Sequence, residues 1–367
     1  MKFLVPDYYP TFKCKASQCR NACCDGWPVT FSIGDYFRLL SIDASPATKE
    51  RLDRALHLTA HPTEDEYAMI LPRYDGKCPM HTENGLCSLQ AEVNEDALPA
   101  VCRLYPRGIR DGEVSCTNSC EAVIELLYRA APLQFQNLVM TTSVNTAPRA
   151  HFFETCGREM EIRLWLIGLV QDRRFPLASR LIRVGHAVHR MDDALQARNA
   201  DQVDLLLAEK DTPIARVTPN KTKALQIIRV LLERLDEQSD SIRDYGKLAL
   251  SHFESDQNHV QSKALFYSTC PCWESWFENM IVNHMFFAQF PFQDRPVSLR
   301  DEVSALYSIN ALLRFLMIGA GDGTVERLID IAAALFRLVD HTAFDRYAAA
   351  ILKEICGPEE IVQLLAV

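Results

Sequence analysis

From residue 121 onward, apolar side chains recur three and four positions apart, the spacing that lines one face of an α-helix. The pattern predicts helices over residues 121–140, with Pro132 as a break or kink, and over 154–170, 177–197 and 203–209. Further helices are expected over 221–235, 242–253, 273–290, 299–318, 325–339 and 343–355, with Gly and Pro mainly at the junctions. No fixed-period repeat is present, although successive helical pairs leave a solenoid-like stack open. Residues 1–120 lack this rhythm: prolines and Asp-Gly or Asn-Gly turns punctuate them throughout. Short helices are expected there over 33–40, with Ser32 as N-cap, and over 48–58, with short strands at 69–72 and 113–116. The expected fold is mainly α, with a loop-rich, cysteine-rich N-terminal region (1–120) packed on a multi-helix C-terminal domain (121–367).

Composition adds constraints. Of 367 residues, 48% are hydrophobic and 24% charged, the balance of a globular protein rather than a disordered or fibrous one. A net charge of −9 argues against a general nucleic-acid or anionic-membrane binder, because phosphate contacts need clustered Lys and Arg. The opening segment lacks the apolar run of a signal peptide, and no later stretch of 18 uninterrupted apolar residues marks a membrane span. The expected compartment is therefore the cytoplasm, whose thiols are reduced. Clustered cysteines there bind metal more often than they form disulfides.

The cysteines carry the strongest chemical signal. Nine of 13 lie between Cys14 and Cys120: Cys14, Cys19, Cys23, Cys24, Cys78, Cys87, Cys102, Cys116 and Cys120. Thiolates are soft ligands for zinc or iron–sulfur clusters, and a site takes about four of them. All nine are candidate ligands, and their number exceeds one site. Adjacent Cys23 and Cys24 point in different directions and are poorly suited to grip one ion together. An all-sulfur set with uneven spacing and no Cys/His alternation favours a cluster, with zinc as the alternative. Cys19-x3-Cys23 starts like a radical-SAM triplet, but the third cysteine is adjacent rather than three residues on.

Several motifs together carry a family resemblance: Cys14…Cys19…Cys23-Cys24-Asp25-Gly26-Trp27, Cys78-Pro79, Gly85-Leu86-Cys87 and Val101-Cys102-Arg103-Leu104-Tyr105-Pro106-Arg107. Glu161-Ile162-Arg163, Glu278-Asn279…Asn283 and Phe290-Pro291-Phe292 extend them. The chain resembles cysteine-cluster proteins described as zinc- or iron-chelating, and more closely the bacterial flagellin lysine-N-methylases. It departs at His284, where that family more often has an aromatic residue. The resemblance implies methyl transfer from S-adenosylmethionine to the ε-amines of surface lysines on flagellin, with a 4Fe–4S cluster bound by the cysteines. In-line displacement by an amine on a sulfonium needs positioning and removal of one proton, and no radical. Candidates for the proton-accepting role are Tyr105, Glu278 and Tyr267. Arg103, Arg107, Asn279 and Asn283 are candidates for holding the donor. The rival reading is a non-enzymatic zinc- or iron-binding protein carrying a helical interaction module.

One glycine-rich stretch imitates the donor loop of the common α/β methyltransferases. Gly319-Ala320-Gly321-Asp322-Gly323 follows an apolar run, and Asp340 sits where a ribose-binding acid would be sought. The preceding run has helical rather than strand length, and too few residues follow for the remaining strands. The stretch is expected to be a helix end and turn. His186 and His189 lack a third ligand nearby in sequence, and Cys270-Pro271-Cys272 matches no part of the pattern.

Overall fold

Apart from residues 121–140, the helices expected from apolar spacing form with shifted ends, and the fold is mainly α. The computed structural model describes residues 1–367 except 25, 27, 142–152, 210–217, 238, 254–255, 294–296 and 367. Asp25 and Trp27 of the cysteine motif therefore lie outside the described residues. Contacts divide the chain into two units, Phe12–Gly108 and Met1–Thr11 with Ile109–Val367. This differs from a division at residue 120, and the cause is strand pairing. The strand Lys2–Pro6 runs parallel to Glu113–Cys116 and antiparallel to Phe135–Val139, tying the first residues to the helical unit. A sheet ordered Arg107–Arg110, Glu113–Cys116, Lys2–Pro6, Phe135–Val139 results.

Phe12–Gly108 is the smaller unit. Its three-stranded antiparallel sheet places Ala68–Ile70 between Val29–Phe31 and Leu56–Leu58. Helix Ile33–Leu40 starts where the sequence indicates: the Ser32 side chain accepts the Asp35 N–H at 3.2 Å. The second helix covers Pro46–Ala55, and the last residues expected to be helical form the strand Leu56–Leu58 instead. Phe31, Leu39, Leu52, Ile70, Met80 and Leu89 make a small core, and Cys78 and Cys87 pack against it.

In the larger unit, helix Leu299–Ala320 is enclosed along most of its length, with helices Leu177–Gln196, Arg243–Phe253, Val325–His341 and Phe344–Ile355 around it. It is long and apolar enough to cross a membrane by composition, yet 94% of its apolar window is buried within the protein. Helix Trp273–Phe287 is the second buried element, with every residue from Trp276 to Phe286 inside.

Two expectations fail here for identifiable reasons. Residues 121–140 do break around Pro132, but helix does not resume beyond it: Glu121–Leu127 is helical and Phe135–Val139 is a strand. Pro132 lacks an N–H, and the carbonyls of Leu127, Arg129 and Ala131 accept from the Asn279 side chain rather than from a continuing helix. Helix Asp256–Thr269 was not expected, because its apolar residues do not gather on one face; Val260 and Leu265 are exposed.

The glycine-rich stretch is a helix end and turn, as its length indicates, but its glycines serve two purposes. Gly323 takes the left-handed turn at φ +89°, and Gly319 lies inside the helix where the backbone of Arg243–Phe253 crosses. A Cβ on Gly319 would stand 2.6 Å from Ala249 Cα. Gly319→Ala is expected to destabilise the protein by about 1–3 kcal/mol through overpacking. A urea midpoint unchanged from wild type would show that the two helices separate without cost.

Candidate functional site

Seven of the nine clustered cysteines, Cys14 to Cys102, belong to the smaller unit; Cys116 and Cys120 belong to the helical unit. No disulfide links the 13 cysteines. Two backbone hydrogen bonds hold the Cys23–Cys24 and Cys78 segments side by side: Gly26 N–H to Gly76 O at 2.8 Å and Cys78 N–H to Cys24 O at 2.7 Å. The turn at Gly85, with φ +74°, rests on Ser17, and a Cβ there would meet Ser17 Cβ at 3.3 Å. The Cys78–Cys87 loop thereby packs against the segment between Cys14 and Cys19.

Five thiols, those of Cys23, Cys24, Cys78, Cys87 and Cys102, interact electrostatically with one another. Burial pushes the Cys78 thiol up to about 11, and the neighbouring thiols add to it. Cys87 is raised first by burial as well. Cys24 is raised strongly, first by its hydrogen bond with Cys23, whose Sγ lies 4.0 Å away. Cys102 reaches the surface, yet protein crowds its inner side, and that burial is the main cause of its strong upward shift. Opposing this, the N–H groups of Met80 and His81 point at the Cys78 sulfur, and those of Leu89 and Gln90 at Cys87. Such donors favour thiolates. Cys14 is exposed and accepts the Ala16 N–H at 3.4 Å, and Cys19 closes the turn after Gln18. Among the described residues, no group of three or more His, Cys, Asp or Glu side chains is placed to hold one metal ion.

The other candidates in the smaller unit surround Cys102. Tyr105 follows the short helix Ala100–Leu104 and is half-buried. Arg103 lies 3.7 Å from the exposed Asp96 carboxylate, and Arg107 stacks over the Phe12 ring at 5.0 Å.

In the helical unit, the candidates on Trp273–Phe287 are wholly buried and occupied by the fold. Glu278 receives Arg173 Nε at 2.9 Å and Arg180 Nη1 at 2.5 Å, and Arg180 is itself 2% exposed. Asn279 accepts the Leu133 N–H at 3.0 Å through Oδ1 and gives its amide to the three carbonyls of the preceding loop. Asn283 donates to Cys116 O at 2.8 Å and Asn118 Oδ1 at 2.7 Å, and its Oδ1 accepts from Tyr8 Oη at 2.8 Å. Tyr8 Oη in turn accepts the Cys116 N–H at 3.1 Å, so Cys116 sits in a buried structural corner. Burial raises the Tyr8 hydroxyl well above the ordinary tyrosine range. Cys120 precedes helix Glu121–Leu127 as its N-cap residue. Tyr267 accepts a hydrogen bond from Arg314 at 2.7 Å. Cys270 and Cys272 flank Pro271 at the start of the same buried helix and interact with Tyr128, and burial pushes Cys270 up to about 12.

A further polar chain joins residues far apart in sequence. His284 Nδ1 lies 2.9 Å from Asp340 Oδ1, and Thr117 donates to the other Asp340 oxygen. Thr117 Oγ1 lies 3.0 Å from Ser119 Oγ, which lies 2.8 Å from His341 Nε2. Burial lowers the His341 imidazole, opposed by the Asp340 charge. Asp340 therefore serves this chain and not a ribose. The only advance signals were the departure at His284 and the polar Thr-Asn-Ser run between Cys116 and Cys120. The pairing itself spans 56 residues for His284–Asp340 and more than 200 for Thr117–Asp340.

The sequence model of the FliB lysine N-methylase C-terminal domain matches residues 163–365, more than half of the chain. The chain belongs to this family. The match lies within the helical unit and includes Glu278, Asn279, Asn283, His284 and Asp340. Among similar proteins, a lysine-N-methylase of Salmonella typhimurium is 28% identical over 152 residues, covering 39% of this chain and 37% of that protein. A lysine-N-methylase of Salmonella choleraesuis aligns to the same extent. The flagellar biosynthetic protein FliU of Salmonella muenchen is 27% identical over 103 residues, covering 28% of this chain and 60% of that protein. The chain thus spans little more than a third of the length of the two lysine-N-methylases. No solved structure matches.

The family's Glu-Asn segment carries a prediction about role. Glu278→Gln keeps the shape but leaves the buried Arg180 with only the more distant Glu274 carboxylate, 3.7 Å away, an expected cost of about 3 kcal/mol in urea unfolding. A catalytic base without a structural task would give an inactive enzyme of unchanged stability.

Proposed function

We propose that the chain is a protein-lysine N-methyltransferase that carries methyl groups from S-adenosylmethionine to surface lysines of flagellin in the cytoplasm. The observation that carries the methyl-transfer reading is the family match over residues 163–365. Flagellin as acceptor rests on the flagellar name of the FliU relative and on the motif resemblance.

The smaller unit would hold a 4Fe–4S cluster through cysteines drawn from Cys23, Cys24, Cys78, Cys87 and Cys102. Three features of the donor set support this. The thiols come, all-sulfur, from four separate segments and feel one another's charge. Burial and mutual repulsion disfavour a set of bare thiolates, so a positively charged centre is what would let them ionise together. Paired N–H groups already face Cys78 and Cys87. A tetrahedral zinc site needs its sulfurs about 3.8 Å apart, given Zn–S bonds of about 2.3 Å. A polynuclear cluster spreads its ligands wider. When bound, the cluster would supply an iron able to take the amino and carboxylate groups of the donor. Arg103 and Arg107 flank Cys102 and would offset the anionic sulfurs or meet that carboxylate.

The reaction needs the acceptor lysine to be positioned and relieved of its proton. A neutral amine then attacks the sulfonium methyl without further activation. Anaerobically purified protein, incubated with flagellin and a donor labelled in its methyl group, is expected to place label on lysine. No transfer with an intact cofactor would overturn the enzyme reading. Purified protein should also contain iron and acid-labile sulfide in similar amounts, and Cys78→Ser should lose most of both. Zinc without sulfide would remove the cluster; with no methyl transfer either, it would leave a zinc-stapled interaction module.

A further inference from the structure

We propose that Cys270 and Cys272, which flank Pro271 ahead of helix Trp273–Phe287, are a dithiol that exchanges reversibly with low-molecular-weight disulfides. Cys272 makes the first attack and Cys270 closes the ring. The pair lies in the helical unit, far along the chain from the nine clustered cysteines. The inference goes beyond the methyltransferase reading and does not depend on it.

The turn between the two cysteines sets their separation. Cys270 O accepts the Trp273 N–H at 3.1 Å, which closes a four-residue turn with Pro271 and Cys272 at its centre. Cys272 has φ −94° and ψ 22°, close to the third residue of a type I turn, and proline is favoured at the second. Residues two apart have Cα atoms at most about 7 Å apart when the chain is extended. The turn draws them closer, into the range of about 4.4–6.8 Å that a disulfide spans. Proline fixes φ, so the arrangement is in place before any reaction. The two thiols already hydrogen-bond to one another.

Three features point to exchange rather than to packing or metal binding. The first is exposure, which divides the roles. Cys272 is half-buried and reaches the surface beside the exposed Pro271, whereas Cys270 is wholly buried and meets only a sulfur already carried by Cys272. The second is the Tyr128 hydroxyl, which hydrogen-bonds with both sulfurs. Burial keeps Cys270 a thiol at rest, and donation from Tyr128 opposes that by favouring its thiolate. The Tyr128 ring stands edge-on to Trp276 with centres 4.9 Å apart, so packing aims the hydroxyl. The third is ligand number. Two thiols are half the usual set for zinc or an iron–sulfur cluster, and among the described residues no third His, Cys, Asp or Glu is grouped with them.

The steps balance as follows from thiol chemistry. Cys272, having lost its proton to solvent, attacks one sulfur of a disulfide RSSR. A new S–S bond forms, the old one breaks, and RS⁻ leaves with the electron pair. Cys270 then gives its proton to that RS⁻, and its sulfur attacks Cys272 Sγ. The second RS⁻ departs and takes a proton from solvent. Two protein thiols are thereby oxidised to one disulfide, and one RSSR is reduced to two RSH. A disulfide closed over a single turn is constrained, and constrained disulfides are the readily reduced ones, so excess RSH reverses the sequence.

The test uses the full chain with its cofactor, kept anaerobic, and glutathione disulfide as the reagent. After incubation the remaining thiols are alkylated, and the peptide carrying Cys270 and Cys272 is weighed by mass spectrometry. Wild type is expected to yield an internal disulfide between these two cysteines, returned to the dithiol by excess glutathione. Cys270→Ala should stop after the first step, with one glutathione on Cys272. Cys272→Ala should take up glutathione on this peptide about ten-fold more slowly or less, because only the accessible thiol meets the reagent. Tyr128→Phe keeps the ring and removes the hydroxyl, and should let the mixed disulfide build up to several times its wild-type level. Thermal unfolding checks that the variants fold, and the wild-type result stands without them. A wild-type peptide with both thiols still alkylated would overturn the proposal, as would either cysteine joined to a third. Glutathione uptake by Cys272→Ala as fast as by Cys270→Ala would overturn it as well.

Discussion

Three side chains on one buried helix impose the constraint on which the helical unit depends. Glu278, Asn279 and Asn283 are all without exposed surface, and burying unpaired polar atoms costs about 1–3 kcal/mol each, more for a charge. Every one of these groups is answered by a different part of the chain. Glu278 gathers Arg173 and Arg180; Asn279 gathers the loop between helix Glu121–Leu127 and strand Phe135–Val139; Asn283 gathers Tyr8 and the corner at Cys116. The sheet and the helices are joined by satisfying this short segment. These three side chains thus have a structural task that needs no substrate.

The cysteine unit is organised differently. Its apolar core is small, and its cysteine segments are loops joined by a few backbone hydrogen bonds and by the turn at Gly85. Such a unit gains most from a bound centre, because ligation is then folding energy. Its thiols oppose one another's ionisation while N–H groups stand ready to stabilise the anions. Cys116 and Cys120 belong to the helical unit, and the buried corner around Cys116 is explained by backbone bonding to Tyr8 and Asn283 alone.

Polar bonding on this helix continues past the structural triad. One residue after Asn283, His284 Nδ1 meets Asp340, whose other oxygen accepts from Thr117. Helix Trp273–Phe287 is thereby tied to helix Val325–His341 and to the corner at Cys116 as well.

Much of this was legible in the residues themselves. Apolar spacing located the long helices, and Ser32 marked a helix start. Those features are local: propensity and capping act over a few residues. The remainder is set by distance in the chain. That 121–140 breaks into a helix and a strand depends on Asn279, that residues 1–11 join the helical unit depends on pairing with 113–116 and 135–139, and that Asp340 serves His284 depends on two helices meeting. A buried hydrogen bond is chosen by whichever partner packing brings within about 3 Å, and no periodicity along the chain records that choice.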